Sequence, residues 1–256
     1  MIETLIIIRT KNEDRWLKAT LEKIFSQKYK NFLIAIVDNN STDRTLEIAR
    51  RYKTKIFKIK KFIPGKAINL PIKKVKSKFV VCLSAHCIPT NENWLNNLIK
   101  PLKNKKVAAV YGKQLPMYNT ESQNYRDLKI VFGNDKRIQK KDYFFHNANS
   151  AIRASLLKKY PFSEKATNIE DRIWAKQILD SNQNFQIIYE PKAAVFHHHG
   201  IHQSNNKKRL DGVIKIMKNI ENENLYPDEF LVNNQKFYAC IIGRRFVNLS
   251  KKYIKT

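Results

Sequence analysis

Four clusters of side chains in this 256-residue sequence could do chemistry. Asp38 closes the apolar run 32–37 and is followed by Asn39-Asn40-Ser41-Thr42-Asp43. A carboxylate at a strand end can accept the N–H of a uracil-like base edge, with Asn and Ser beside it for ribose hydroxyls. The same residues also make an Asx-rich turn that caps a following helix. The apolar run 79–83 leads into Ser84-Ala85-His86-Cys87. Ser84 offers a hydroxyl as donor and acceptor, and a neutral His86 imidazole can ligate a divalent transition-metal ion. Alternatively His86 meets a phosphate directly, with Lys and Arg neutralising it. A third cluster, His197-His198-His199, follows another apolar run, 193–196. Residues i and i+2 of a strand share a face, so His197 and His199 could join His86 in a two- or three-imidazole site; a solvated loop is the other reading. Finally, Glu170-Asp171 opens a helical pattern, where acidic residues complement the helix dipole.

Elements of two periods must carry these clusters. Apolar runs at 4–8, 32–37, 79–83 and 107–111 read as buried strands, and the alternating 55–59 as an edge strand. Between them Leu17, Leu21, Ile24 and Phe25, then Leu46, Ile48 and Ala49, then 67–75, then Trp94, Leu95, Leu98 and Leu102 recur at helical spacing, with Ser41 placed to cap the second helix. Strands alternating with helices predict an α/β fold: a mostly parallel sheet with helices on both faces, whose ligands lie at the carboxyl ends of the strands. The residues at 10–13, 38–41 and 84–87 therefore belong to one edge. The polar stretch 113–145 reads as a mobile loop over that edge. Helices are expected at 149–160 and 170–179 and strands at 185–189 and 193–196, with Trp94 and Trp174 in the core. From about residue 205 the sequence becomes Lys- and Asn-rich and helical, without strand signal. In its last segment Ile242, Phe246, Leu249 and Tyr253 form one helical stripe, which either packs on the body of the protein or lies in an anionic membrane interface.

Composition sets the kind of partner. Forty-nine Lys and Arg against 22 Asp and Glu leave a net charge of +27. Such a surface seeks anions: nucleic acid, anionic lipid or a phosphorylated substrate. The basic residues are scattered and no aromatic RNA-reading signature is present, so nucleic acid is not the expected partner. Three cysteines without CxxC spacing predict a reduced, intracellular chain. No run approaches the roughly 18 apolar residues of a spanning helix, and nothing resembles a secretory signal.

Several spaced blocks together resemble glycosyltransferase family 2: residues 4–13 (Thr-Leu-Ile-Ile-Ile-Arg-Thr-Lys-Asn-Glu), 21–27, 31–37 and Asp38-Asn39-Asn40-Ser41-Thr42-Asp43. Arg9 stands where that pattern often has Pro, and Asn39-Asn40 where it has Asp-Gly. The resemblance extends to about His199. It implies the GT-A fold and inverting sugar transfer from a nucleotide-activated donor. Thr10, Asn12 and Glu13 would line the nucleotide pocket, with Asp38 on the base and Asn40 beside it. Gly65-Lys66-Ala67-Ile68-Asn69 resembles the next block, where Lys66 would approach the donor. Ser84 and His86 occupy the usual Asp-x-Asp positions, a departure that favours Mn²⁺ over Mg²⁺ as divalent metal. His86, His197 and His199 would be the metal ligands. By the same resemblance Asp171 is the general base, supported by Glu170, and Phe162-Ser163-Glu164 matches the block before it. Asn147, Asn149 and Arg153 would face acceptor or diphosphate. The expected organisation is a catalytic domain over 1–204 (nucleotide half 1–112, acceptor half 113–204) and a basic helical extension over 205–256. Expected partners are a UDP- or dTDP-sugar and a glycan or lipid-linked glycan of bacterial polysaccharide, capsule or lipooligosaccharide assembly. The expected place is the cytoplasmic face of an anionic cell membrane. A catalytically degenerate transferase that acts as a binding partner, or a basic nucleic-acid-binding protein, are the alternatives.

Overall fold

The computed structural model describes residues 2–181, 183–198, 229–232 and 235–238. The apolar runs become strands because their side chains are buried on both faces: Leu5, Ile6, Ile7 and Ile8 of β1 (Ile2–Thr10) are at most 1% exposed, as are Val80 to Leu83 of β4 (Ser77–Ser84). β2 (Phe32–Asp38) and β3 (Thr54–Lys58) complete a parallel half-sheet in the order β3-β2-β1-β4. Helices α1 (Asp14–Phe25), α2 (Thr45–Arg50) and α3 (Pro64–Lys74) make its crossovers. The apolar stripe of α1 (Leu17, Leu21, Ile24) packs into the same core as Ile6 and Ile8 of β1 and Ile34 and Ile36 of β2.

Beyond β4 the sheet changes character. β8 (Asn149–Arg153) runs antiparallel to β4 and to β6 (Val107–Pro116), and then come β9 (Gln186–His197) and the short β5 (Cys87–Pro89). β7 (Arg137–Gln139) pairs with β9, giving nine strands in a mixed sheet. Helices α4 (Trp94–Ile99), α6 (Ala154–Lys159) and α7 (Glu170–Asp180) and a short 3₁₀ turn, Lys100–Lys103, accompany this half. Trp94 and Trp174 lie in the core, as expected.

Four expectations are corrected here. The helix expected over 149–160 begins only at Ala154. Its first five residues are a central strand, because pairing on both sides with β4 and β6 overrides the weak local preference of Asn-Ser-Ala. The stretch 113–145 holds ordered elements, namely the end of β6, helix α5 (Ser122–Val131) and β7. The strands expected at 185–189 and 193–196 are one long strand that continues through Pro191. Ser41 caps no helix: α2 starts at Thr45, and the Ser41 hydroxyl turns back to Asp38.

The chain forms two compact units: Met1–Gln114 with Asn134–His197, and Leu115–Gly133 with the chain from His198. α5 belongs to the second unit, as does an antiparallel hairpin of β10 (Glu229–Val232) and β11 (Gln235–Tyr238). That hairpin replaces part of the helical extension expected beyond 205. The boundary expected at 204, the stripe from Ile242 to Tyr253 and His199 lie outside the described residues. Among the described residues no helix is long and apolar enough to cross a membrane.

Candidate active site

The carboxyl ends of β1 and β2 are zipped together by short polar side chains. Asp38 is paired in register with Thr10 and is 1% exposed. Its Oδ1 accepts hydrogen bonds from the Thr10 hydroxyl at 3.1 Å and the Ser41 hydroxyl at 2.5 Å; its Oδ2 accepts the Ser41 N–H at 3.1 Å. The Asx turn forms, and it fixes the carboxylate. A carboxylate has about four lone-pair positions, so three internal donors leave Oδ2 able to accept one more. Asn12 and Asn40 stand in the left-handed region, with φ of 54° and 53°, which Asn tolerates better than most residues. The Asn12 side chain accepts the Thr42 N–H at 2.8 Å, and its own N–H goes to Ser41 Oγ at 3.0 Å. Glu13 N–H donates to Thr45 Oγ1 at 2.7 Å. Asn40 is exposed and its side chain reaches the Lys60 carbonyl at 3.4 Å.

Glu13 then turns toward β4. Its Oε1 lies 2.9 Å from His86 Nδ1, and both groups are largely buried. A carboxylate on one ring nitrogen sets the tautomer and presents the other, the arrangement a metal-ligating histidine usually has. His86 stacks on His197, with ring centroids 5.2 Å apart and planes within 3°. Imidazole lone pairs lie in the ring plane, so two stacked parallel rings do not converge on one ion as arranged. His197 Nδ1 is 2.7 Å from Gln114 Oε1, and Gln114 Nε2 is 3.2 Å from His146 Nδ1. Among the described residues no group of three or more His, Cys, Asp or Glu side chains is spaced to hold a metal ion. Of the expected ligands, His86, with Glu13 on its other ring nitrogen, is the one whose surroundings suit a divalent ion. His86 and His197 do not make a preformed protein cage.

The carboxylate pair sits at the start of α7. Ile169, just before it, has φ of 49°, a strained conformation for a β-branched residue. Glu170 and Asp171 are 5% and 8% exposed. Glu170 Oε1 accepts from Arg9 Nη1 at 3.1 Å and from Asn147 Nδ2 at 3.2 Å. Asp171 Oδ2 accepts the Asn147 N–H at 3.0 Å, and Oδ1 its neighbour's N–H, Arg172, at 2.9 Å. Burial pushes the Glu170 carboxyl above its ordinary range, the charge of Asp171 adds to this, and Arg9 and Asn147 oppose it. Nearby Cys82 is buried, which raises its thiol to about 12 and leaves it no thiolate for chemistry.

The end of β1 joins these parts. Consecutive residues Arg9 and Thr10 reach Glu170 and Asp38, and Glu13 four residues on reaches His86. Ser84 lies opposite Arg9 on β4, half-buried. Lys66 is exposed in the first turn of α3. That turn is held against 162–164: a Cβ on Gly65 would fall 2.2 Å from the Ser163 carbonyl oxygen, and Asn69 bonds the Phe162 backbone and Glu164.

Two of the residues expected at the acceptor have their side chains committed to the fold. Arg153 pairs in register with Phe79, at the amino end of β4 and thus the far edge of the sheet, and donates to the carbonyls of Leu102, Asn104 and Val107. The antiparallel direction of β8 put it there. Asn149 is fully buried and spends its amide on Trp94 Nε1 and the carbonyls of Lys113 and Ala193. Both hold the fold. Gln114 and His146 were missed, because a lone Gln and a lone His in a polar stretch carry no pattern until β6 and β9 lie side by side.

The family model described as "Glycosyl transferase family 2" matches residues 5–161. The chain belongs to this family. Among relatives, it is 28% identical over 179 residues to the O-antigen chain rhamnosyltransferase WbaN of Salmonella anatum, covering 65% of this chain and 56% of that protein. The O-antigen chain rhamnosyltransferase RfbN of Salmonella typhimurium is 26% identical over 208 residues, covering 76% of this chain and 66% of the other. This family 2 chain thus spans under two thirds of the length of either relative. Among solved structures, S. aureus TarS 1-349 in complex with UDP-GlcNAc superposes with a TM-score of 0.68 at 18% identity, covering 98% of this chain and 73% of that one. The mannosyltransferase PcManGT of Pyrobaculum calidifontis, in complex with GDP-Man and Mn²⁺, gives 0.65 at 17% identity, covering 88% and 66%. At such identities the likeness concerns the fold, the mixed GT-A sheet with its helices.

Proposed function

We propose that this chain is an inverting glycosyltransferase that moves a sugar from a nucleotide-sugar donor to a hydroxyl of a glycan or lipid-linked glycan. The observation that carries the reading is the reach of Arg9 and Thr10, adjacent at one strand end, to the carboxylates of Glu170 and Asp38. Asp38 accepts the N–H of the base through its remaining Oδ2 position, which suits a uridine or thymidine donor. Asn12, Asn40 and Ser84 serve the ribose side, and Lys66 the diphosphate. Asp171 takes the proton of the acceptor hydroxyl as that oxygen attacks the anomeric carbon. The bond to the nucleoside diphosphate breaks on the opposite face, and the configuration inverts. The two main-chain N–H groups on Asp171 aim its carboxylate, and Arg9 with Asn147 restrains Glu170 beside it.

His86 would hold a divalent ion, Mn²⁺ rather than Mg²⁺, which would supply positive charge beside the diphosphate of the donor. The Glu13–His86 contact supports this, as does the Mn²⁺ in the PcManGT complex. Glu13 also answers the degenerate alternative: the carboxylate missing at Ser84 is replaced by one beside His86. The O-antigen relatives support a growing glycan as acceptor, and the +27 charge supports work at an anionic membrane face on the cytoplasmic side, with no nucleic acid as ligand. A panel of nucleotide sugars tests the proposal. Binding of a UDP- or dTDP-sugar, with turnover on a glycan acceptor and product of inverted anomeric configuration, is the expected result. A folded protein that binds none of the panel overturns it, and turnover unaffected by chelators removes only the metal.

A further inference from the structure

The segment between Glu47 and Glu92 contains twelve basic residues and no acidic one. Several of these lie elsewhere in the fold: Arg51 pairs with Glu47, and Lys73 with Glu164. Three do not. Lys58 ends β3 opposite Asp38, and Lys60 and Lys61 follow it; all three are exposed and without an ion-pair partner among the described residues. Next comes Phe62, 46% exposed, between them and the buried Pro64 and Gly65 of α3. β3 is the edge strand and runs parallel to β2, so this loop leaves the sheet at the edge where Asp38 sits. It is tied there: Ile59 N–H donates to the Asp38 carbonyl at 2.9 Å, and the Asn40 side chain to the Lys60 carbonyl.

We propose that this rim, Lys58-Ile59-Lys60-Lys61-Phe62, docks the protein on an anionic bilayer, with Phe62 entering the headgroup boundary and the lysines on anionic headgroups. An exposed aromatic ring flanked by cations on a loop tip has the composition of an interfacial anchor. Nucleic acid would use the same lysines. It is less well served, because this loop offers a single exposed ring, Phe62, whereas single-strand binders line a groove with successive stacking platforms. The inference deepens the proposed function. Docking through this rim brings the donor edge to the membrane, so that a lipid-linked hydroxyl reaches the site without leaving the bilayer.

The full chain is tested by sedimentation with vesicles of phosphatidylcholine alone and with one third phosphatidylglycerol. Binding is expected only to the anionic vesicles and is expected to fall as salt rises. Replacing Lys58, Lys60 and Lys61 together by Gln weakens it on the order of a hundredfold, since each basic side chain near the surface is worth about a factor of five. Phe62→Ser weakens it several-fold by a component that salt does not screen. Both variants keep wild-type circular dichroism and wild-type affinity for the donor nucleotide. The idea is overturned if the triple variant binds anionic vesicles as wild type does, if the wild type ignores them, or if duplex or single-stranded DNA strips the protein from vesicles at equal phosphate concentration. Vesicle binding is read without donor or acceptor. A protein that docks through the rim yet transfers no sugar therefore sinks the proposed function and not this inference.

Discussion

The two halves of the sheet solve different problems. In β3-β2-β1-β4 the strands β2, β1 and β4 are apolar on both faces and β3 is the alternating edge; the ends of β1 and β2 lead into loops rich in Asn, Ser and Thr, which bond one another. In β8-β6-β9-β5 polar residues lie inside: Asn149, Ser150, Gln114 and His197 are all buried and hydrogen-bonded. Buried polar groups must be paired, so the second half is held by specific networks and the first by apolar area. The parallel half presents loops, which can take a donor. The antiparallel half presents fixed side chains, and α7, which lies in the chain between β8 and β9, presents the carboxylates.

The sharpest test of that division is Asp171→Asn. The amide keeps the size of the carboxylate but takes no proton. Transfer should fall about a thousandfold, the scale of general-base contributions, while donor binding measured by calorimetry stays within about twofold. A matching loss of donor affinity would show that the carboxylate pair belongs to the nucleotide half, and the contrast drawn here would break.

Asn149→Leu probes the other side. It leaves Trp94 Nε1 and the carbonyls of Lys113 and Ala193 without this partner in the core. A cost of about 3 kcal/mol is expected, read by denaturant unfolding. Donor affinity in the folded fraction should be unchanged. If the variant is as stable as wild type and has lost acceptor affinity, Asn149 is a site residue after all.

Asp38→Asn comes next in size. The amide still accepts through its oxygen but loses an anionic acceptor, and the turn with Ser41 weakens. Donor nucleotide should bind about ten- to thirtyfold more weakly, with little change in the rate at saturating donor. An unchanged affinity would confine Asp38 to its turn.

The same contrast decides what was legible beforehand. The parallel half could be read because β1, β2 and β4 are each a continuous apolar run with a polar stop, so Thr10, Asp38 and Ser84 marked the carboxyl edge of the sheet directly. The carboxylate pair was legible through its blocks and its place in a helix's first turn. β8 was not, since Asn-Ser-Ala-Ile carries no strand period and acquires its conformation from two neighbours far away in sequence. The error at Arg153 follows from that one. A helix over 149–160 leaves its arginine free to face a ligand, whereas an antiparallel strand carries it to the opposite edge. Gln114 and His146 depend on pairing between β6 and β9 and on a loop, and no local pattern predicts either.

The smallest expected effect concerns Glu170, where the two halves meet through Arg9. Burial and Asp171 raise its carboxyl in the folded protein above the ordinary glutamate value. The native state then holds the proton over a pH range in which the unfolded chain has released it. Stability therefore falls as pH rises from the ordinary glutamate value through the raised one, and levels off above it. Glu170→Gln keeps an acceptor for Arg9 and Asn147, removes the buried charge, and should flatten that slope in thermal unfolding measured across pH 4 to 8. Arg9→Met should steepen it, because the opposing cation is gone. If neither variant alters the slope, the Arg9–Glu170 contact does not couple the halves, and Asn147 is what restrains Glu170.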